Sequence, residues 1–189
     1  MPGILRRLAR IGIAIEPFLI AHEDPEASGL STNAMHFQYG FIGPEQVEKL
    51  IQSRLISSRE DALRHFQEGS KCFVAWDGDR IAAKMWCDFE NLNNKRCRRP
   101  LTDDEIYLYG AFSHPDYRGQ GLAPATRQRC YQALRELGKT RLFSITDYYN
   151  LSARRFKEKL GARDETLHLH ICLFGRWSRT FTLRRYPTG

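Results

Sequence analysis

The stretch from Glu105 to Leu137 constrains the fold more than any other part of the chain. Residues Glu105 to Ser113 alternate and are rich in β-branched and aromatic types, which is a strand pattern. His114-Pro115-Asp116 is turn chemistry. Beyond Arg118-Gly119-Gln120-Gly121, the residues Leu122, Thr126, Cys130, Ala133, Leu134 and Leu137 recur at helical spacing until Gly138 stops the run. A strand, a glycine loop and a helix in succession aim backbone N–H groups and the positive end of a helix dipole at one spot. Such a spot suits an anion. Arg118 adds a full positive charge beside it, and Gly119 and Gly121 let a ligand approach the backbone closely.

The rest of the chain predicts one domain built on that device. At 189 residues and 42% hydrophobic it can bury a single good core. Residues 4–21 read as an amphipathic extension packed on the domain, because Glu16-Pro17 breaks the apolar run; docking to a membrane surface through Arg6, Arg7 and Arg10 is the minor alternative. Residues 22–33 read as a polar linker, so the expected division is an extension and linker over 1–33 and a domain over 34–189. A short strand over Met35 to Tyr39, a helix opened by Gly43-Pro44, and a second helix capped by Ser57-x-x-Glu60 follow. Cys72 to Trp76 and Ile81 to Phe89 form a hairpin around Asp77-Gly78, and 91–104 is a loop with a basic cluster, Lys95, Arg96, Arg98 and Arg99. Arg141 to Asp147 is a strand, Asn150 caps a helix that ends at Gly161, and a strand pair closes the chain. This order implies a mixed sheet with helices on its faces, an α/β or α+β layout.

The charge balance, 29 basic against 22 acidic side chains for a net +7, favours an anionic partner. Five cysteines, an odd number without a C-x-x-C pair, argue against a disulfide framework or a zinc ribbon and for a reducing, cytoplasmic setting. No stretch reaches a membrane-spanning length. His168, His170 and Cys172 alternate on one strand, a geometry that rarely converges on one ion, so no metal is expected.

The glycine loop is neither of two common phosphate devices. Pro124 stands where a dinucleotide fingerprint needs its third glycine, and the Gly-Lys-Ser/Thr end of a Walker loop is absent. Arg118-Gly119-Gln120-Gly121-Leu122-Ala123 instead resembles the Arg/Gln-x-x-Gly-x-Gly/Ala signature of the GNAT superfamily of acetyl-CoA-dependent N-acyltransferases. His114-Pro115-Asp116-Tyr117 is typical of the same family. Asn150-x-x-Ala153-x-x-Phe156 followed by Leu160-Gly161-Ala162 resembles the family's second motif, and the likeness covers about residues 34–185.

The resemblance implies a V-shaped sheet of six to seven strands with about four helices, and acetyl-CoA or another acyl-CoA in the cleft between the central strand and the strand at 141–147. It implies that Arg118, Gly119, Gln120, Gly121, Leu122 and Ala123 cradle the pyrophosphate. Phe112 and Ser113 would offer main-chain groups to the pantetheine arm, and Asn150 would approach it from the other side. Many relatives carry an acidic tyrosine one residue after the Phe156 position; here that residue is Lys157, read as a solvated helix lysine. Tyr149, beside Tyr148, is the candidate replacement acid. Glu105 is the first candidate base, with Tyr107 on the same strand face and His170 as second choice. The expected activity is direct acyl transfer from acyl-CoA to a primary amine of a small molecule. Two alternatives stay open. One is an acyltransferase with a macromolecular partner, tRNA or an acyl carrier protein, motivated by the basic loop at 95–99 and by Arg176, Arg179, Arg184 and Arg185. The other is a CoA-binding protein that has lost catalysis. A homodimer is also left open.

Overall fold

The computed structural model describes residues 3–23 and 36–187. The elements in chain order are α1 (Gly3–Arg10), β1 (Ile13–Glu23), β2 (Gln38–Ile42), α2 (Val47–Gln52), α3 (Arg59–Gln67), β3 (Ser70–Asp77), β4 (Arg80–Asp88), β5 (Asn91–Asn94), β6 (Cys97–Pro100), β7 (Glu105–Ser113), α4 (Leu122–Glu136), β8 (Arg141–Asp147), α5 (Leu151–Lys159), β9 (Arg163–Leu173) and β10 (Trp177–Arg185). Most of the expected 22–33 linker lies outside the described residues, as does Met35 of the expected strand at 35–39, which is found as β2 a few residues later.

The strands form one eight-stranded sheet in the order β10-β9-β1-β8-β7-β4-β3-β2, and β5 and β6 form a separate hairpin. The mixed α+β class holds, with eight strands in the sheet rather than six or seven and five helices rather than four among the described residues. One junction makes the sheet a V. β7 and β8 run parallel and pair from Glu105–Arg141 to Leu108–Ser144, yet they continue to Ser113 and Asp147 with no further pairing. Gly110, at φ +57°, sits opposite the register shift between Lys84 and Trp86 of β4. A bulge of this kind bends a strand out of its ladder, and only glycine takes this backbone region freely.

The N-terminal stretch supplies an interior strand, which corrects the reading of 4–21 as a packed extension. β1 lies between β8 and β9 and pairs antiparallel with both. Phe18, Leu19, Ile20 and Ala21 form a continuous buried run, as expected of a strand covered on both faces. Pro17, which suggested a break, is tolerated because pairing with β8 begins only at Phe18. The open side of Pro17 carries its carbonyl, which accepts from the Tyr148 amide at 3.0 Å, so no ladder bond is lost there.

Local chemistry sets the other boundaries. Ser58, not Ser57, caps α3, its hydroxyl accepting from the Asp61 amide at 3.0 Å. Pro44 opens a short 3-10 turn that leads into α2. The expected loop at 91–104 contains the β5–β6 hairpin, whose start is fixed by Asp88 accepting from the Glu90 and Asn91 amides. Helices α2 and α3 pack on one face of the sheet against Val74, Ile81 and Trp86. Helix α4 packs on the other against Phe73, Met85, Ile106 and Leu142.

Candidate active site

Where β7 leaves β8, the sequence must provide other partners for the exposed strand edges. The gap is a cavity of about 390 Å³. Its walls are Ala111, Phe112 and Ser113 of β7, Ala123, Thr126 and Arg127 of α4, Asn150 with Ser152, Ala153, Phe156 and Lys157 of α5, and Ala83, Lys84 and Met85 of β4. Phe112, Ser113, Ala123 and Asn150, named from sequence, thus meet in one cleft. Asn150 caps α5 by accepting from the Ala153 amide at 3.1 Å, which fixes the helix start at the cleft wall.

The glycine loop leads directly into the first turn of α4, whose Ala123 lines the cleft. Gly119 and Gly121 stand at φ +78° and +75°, and Gly121 is the left-handed residue from which α4 begins. A Cβ added at Gly119 would meet nothing within 4 Å, so the loop faces open space. The amides of Gly119, Gln120 and Gly121 donate to no group among the described residues, while the Gln120 side chain ties the loop back to the Asp116 carbonyl at 3.0 Å. The first turn of α4 holds no acidic residue. Leu122 is buried and anchors the turn. Arg118 lies over the Phe112 ring, 5.6 Å from its centroid. Unpartnered amides, the head of a 15-residue helix and an arginine are brought to one spot, an arrangement that suits an anion.

The floor of the cleft is a polar network absent from the sequence reading. Glu23, at the end of β1, has no exposed surface and accepts from Arg127 Nε at 2.8 Å and from the Tyr131 and Ser144 hydroxyls. Burial pushes its carboxyl up, but the Arg127 guanidinium, with smaller help from Lys157 and Ser144, outweighs this and holds the pKa at about 2. Lys157 Nζ lies 4.0 Å from Glu23 and donates to the Ile145 carbonyl at 3.4 Å and to the Thr146 hydroxyl. Only 12% of its side chain is exposed. It is therefore not the solvated helix lysine expected, because α5 turns this position inward to the cleft. Burial lowers its pKa to about 8, against the pull of Glu23 in the other direction. A glutamate closing an apolar run and an Arg127–Tyr131 pair at i, i+4 were the available sequence signals, but nothing in the sequence joins β1 to α4.

A family model described as Acetyltransferase (GNAT) family matches residues 41–162. The chain belongs to this family. No curated protein matches it. Among solved structures, a GNAT-family putative acetyltransferase from Novosphingobium aromaticivorans is 19% identical with a TM-score of 0.59, over 86% of this chain and 66% of that longer one. A GNAT-family acetyltransferase from Colwellia psychrerythraea is 12% identical with a TM-score of 0.61, over 85% and 57% of the two chains. An aminoglycoside acetyltransferase from an uncultured soil metagenomic sample, in complex with sisomicin, is 17% identical with a TM-score of 0.53, over 67% and 88%. These likenesses concern the GNAT fold.

The GNAT cleft does not gather the sequence candidates for acid and base. Glu105 sits at the closed end of the β7–β8 pair, buried, bound by Arg99 at 2.5 and 3.2 Å, by the Thr102 amide at 3.1 Å and by Arg141 at 3.1 Å. Burial raises its pKa, but these donors and charges lower it further, so it is held as a carboxylate. Tyr107 is buried, stacked on Tyr109 with centroids 5.2 Å apart, and its hydroxyl accepts from Asn94 at 3.3 Å. Thr180 donates to the Arg96 carbonyl at 2.5 Å, so it accepts from His170 Nδ1 at 2.9 Å, and the ring proton sits on Nδ1. Tyr149 is 41% exposed and lines a second cavity of about 530 Å³ with Glu16, Lys95, Arg96 and Asp147, reached through Asn150. No cluster among the described residues has the make-up to hold a metal ion, and no helix there is long and apolar enough to cross a membrane.

Proposed function

We propose that the protein transfers an acetyl or other acyl group from acyl-CoA to the primary amine of a small molecule, by direct attack and without a covalent enzyme intermediate. The observation that carries this reading is the joint placement of the Gly119–Gly121 amides at the head of α4 and of the cleft that the same helix lines with Ala123, Thr126 and Arg127. Arg118 and the loop through Ala123 would hold the pyrophosphate of the substrate. The unpaired edge of β7 at Phe112 and Ser113 would take the amide groups of its arm, as a sheet edge takes an added strand. Asn150 would border the arm from α5.

Acyl transfer forms an N–C bond and breaks the C–S bond, and the leaving thiolate needs a proton. We assign that proton to Lys157 in place of Tyr149. The residue lines the cleft, its ammonium is held at the wall by the Ile145 carbonyl and the Thr146 hydroxyl, and it is poised near the pKa of a thiol. The proton lost by the amine passes to water at the open mouth. Glu105 is assigned no chemical role, because two arginines and an amide occupy its oxygens. For the macromolecular alternative the basic residues divide: Lys95, Arg96 and Arg99 are paired with Glu16, Asp147 and Glu105, whereas Arg98 on β6 and Arg176, Arg179, Arg184 and Arg185 at β10 are exposed without an ion pair among the described residues, so salt-dependent binding to tRNA is its separate test.

The test is thiol release from acetyl-CoA and longer acyl-CoAs against a broad panel of primary amines, with CoA binding measured separately by calorimetry. Turnover with small amines supports the reading. CoA binding without turnover on any amine would favour the CoA-binding protein that has lost catalysis.

A further inference from the structure

Among the described residues, the buried charged side chains Glu23, Asp88, Glu105 and Arg127 all have hydrogen-bond partners. Lys84 does not. It lies on β4 at 8% exposure, with neither a hydrogen bond nor an ion pair to any described residue. Its one specific contact is the Trp86 ring, 5.8 Å from Nζ. The stem is buried, but Nζ is not among the enclosed, unpartnered polar atoms; the ammonium keeps access to the cavities that the residue lines, where an anionic ligand group can pair with it. Burial lowers its pKa, and the only group acting the other way is Cys72, a buried thiol whose own pKa is raised.

The position of Lys84 says what kind of ligand. Its register partner is Phe112, at the bulge where β7 begins to leave the sheet. Lys84 and Phe112 are the two residues shared by the donor cleft and a separate cavity of about 570 Å³ under α2 and α3. That cavity holds Arg54, Ser57 and His65 beside the Trp86 wall. Its one acid, Asp61, is bound by Arg64 at 2.5 Å. His65 is biased to the neutral form by burial. This cavity under α2 and α3 thus joins the donor cleft at the end of β7 and carries uncompensated positive charge.

We propose that this cavity is the acceptor site and that the acceptor is an amine bearing a carboxylate, which Lys84 binds. The inference rests on the acyl-transfer reading and names its substrate class. The amine would face Phe112 and the donor cleft, while the carboxylate replaces the anion that Lys84 lacks. An acidic acyl group on the donor would offer the same chemistry from the other side, and the experiment separates the two.

Matched amine pairs, amino acids and their carboxamides, are assayed with acetyl-CoA and with succinyl-CoA, using wild type, Lys84→Met and Lys84→Arg. The acid should be preferred over its amide by about 10- to 100-fold in kcat/KM, the range expected of one charge-assisted hydrogen bond. Lys84→Met should collapse that ratio towards one, and Lys84→Arg should retain most of it. Lys84→Met should leave the thermal midpoint of the free protein close to wild type, since no described residue pairs with the ammonium; a large fall would mean that Lys84 is paired within the fold and would overturn the proposal. Equal rates on acids and amides would overturn it too. So would a succinyl-CoA preference that disappears in Lys84→Met, which places the carboxylate on the donor. CoA binding by calorimetry is the separate readout for the underlying reading: if CoA does not bind, acyl transfer itself fails, whereas CoA binding with no acid preference sinks the acceptor proposal alone.

Discussion

Glu23 of β1 and Arg127 of α4 form a buried ion pair 104 positions apart in sequence, with Nε 2.8 Å from Oε2. It ties the N-terminal strand to the helix that bears the glycine loop. Glu23→Gln leaves Arg127 charged and unanswered, a change that typically costs about 3–5 kcal/mol. Denaturant melts should show a loss of that order. The double variant Glu23→Gln/Arg127→Met should recover much of it. A loss below about 1 kcal/mol for the single variant would show that the pair does not hold β1 in place.

The same carboxylate sets an acid limb. Its folded pKa of about 2 lies below the ordinary value of 4.5. The unfolded chain therefore takes up the proton first, and the stabilisation is complete above about pH 4.5 and declines as pH falls towards 2. Linkage puts it at roughly 3 kcal/mol. The stability gap between wild type and Glu23→Gln should accordingly narrow as melts are taken from pH 5 to pH 2.5. A gap that stays constant across this range would contradict the assigned shift.

Much of the fold could be read in advance because its signals are local. The β7–loop–α4 device, the Asp77-Gly78 hairpin and the Asn150 cap each announce themselves within a few residues. What escaped is non-local. β1 looked like an extension because its proline suggested a break, and only the end of β8 at Asp147 explains why a proline is harmless there. Glu105 looked like a base because strand alternation gives the face of a side chain but not its depth along the cleft. Arg99 and Arg141, which occupy its oxygens, come from neighbouring segments. Lys157 looked solvated because Arg154, Arg155 and Lys159 surround it in sequence, although helical rotation turns this one position inward.

Glu105→Gln should therefore separate structure from chemistry. Losing the charge weakens the contacts to Arg99 and Arg141 and should lower the melting midpoint. At a temperature where the variant is fully folded, its kcat should stay within about threefold of wild type, well short of the 100-fold or more expected for losing a general base. A fall of that larger size would return Glu105 to the mechanism.

Gly121 begins α4 in the left-handed region, at φ +75°. An alanine there costs about 1 kcal/mol of backbone strain. It should also tilt the unpartnered amides at the head of α4. Calorimetry should find CoA binding weakened about tenfold or more in Gly121→Ala, while Gly78→Ala, also at positive φ but in the β3–β4 turn, should lose comparable stability and bind CoA normally. Equal binding by both variants would mean that the loop does not contact the pyrophosphate.

Lys157 makes the sharpest claim about chemistry. A general acid works only while protonated, and burial brings this ammonium down to about 8. With a saturating amine, kcat should fall as pH rises through about 8. Amine deprotonation acts in the opposite direction, so the two limbs can be told apart. In Lys157→Met the falling limb should vanish and kcat at pH 7 should drop by about 100-fold, the usual contribution of a positioned acid. Lys157→Tyr, which carries a hydroxyl at the same helical position, should recover part of the rate with its falling limb moved to higher pH, because phenols titrate near 10. If Lys157→Met keeps the wild-type profile, the lysine serves only as a counter-charge to Glu23, and the thiolate takes its proton from elsewhere.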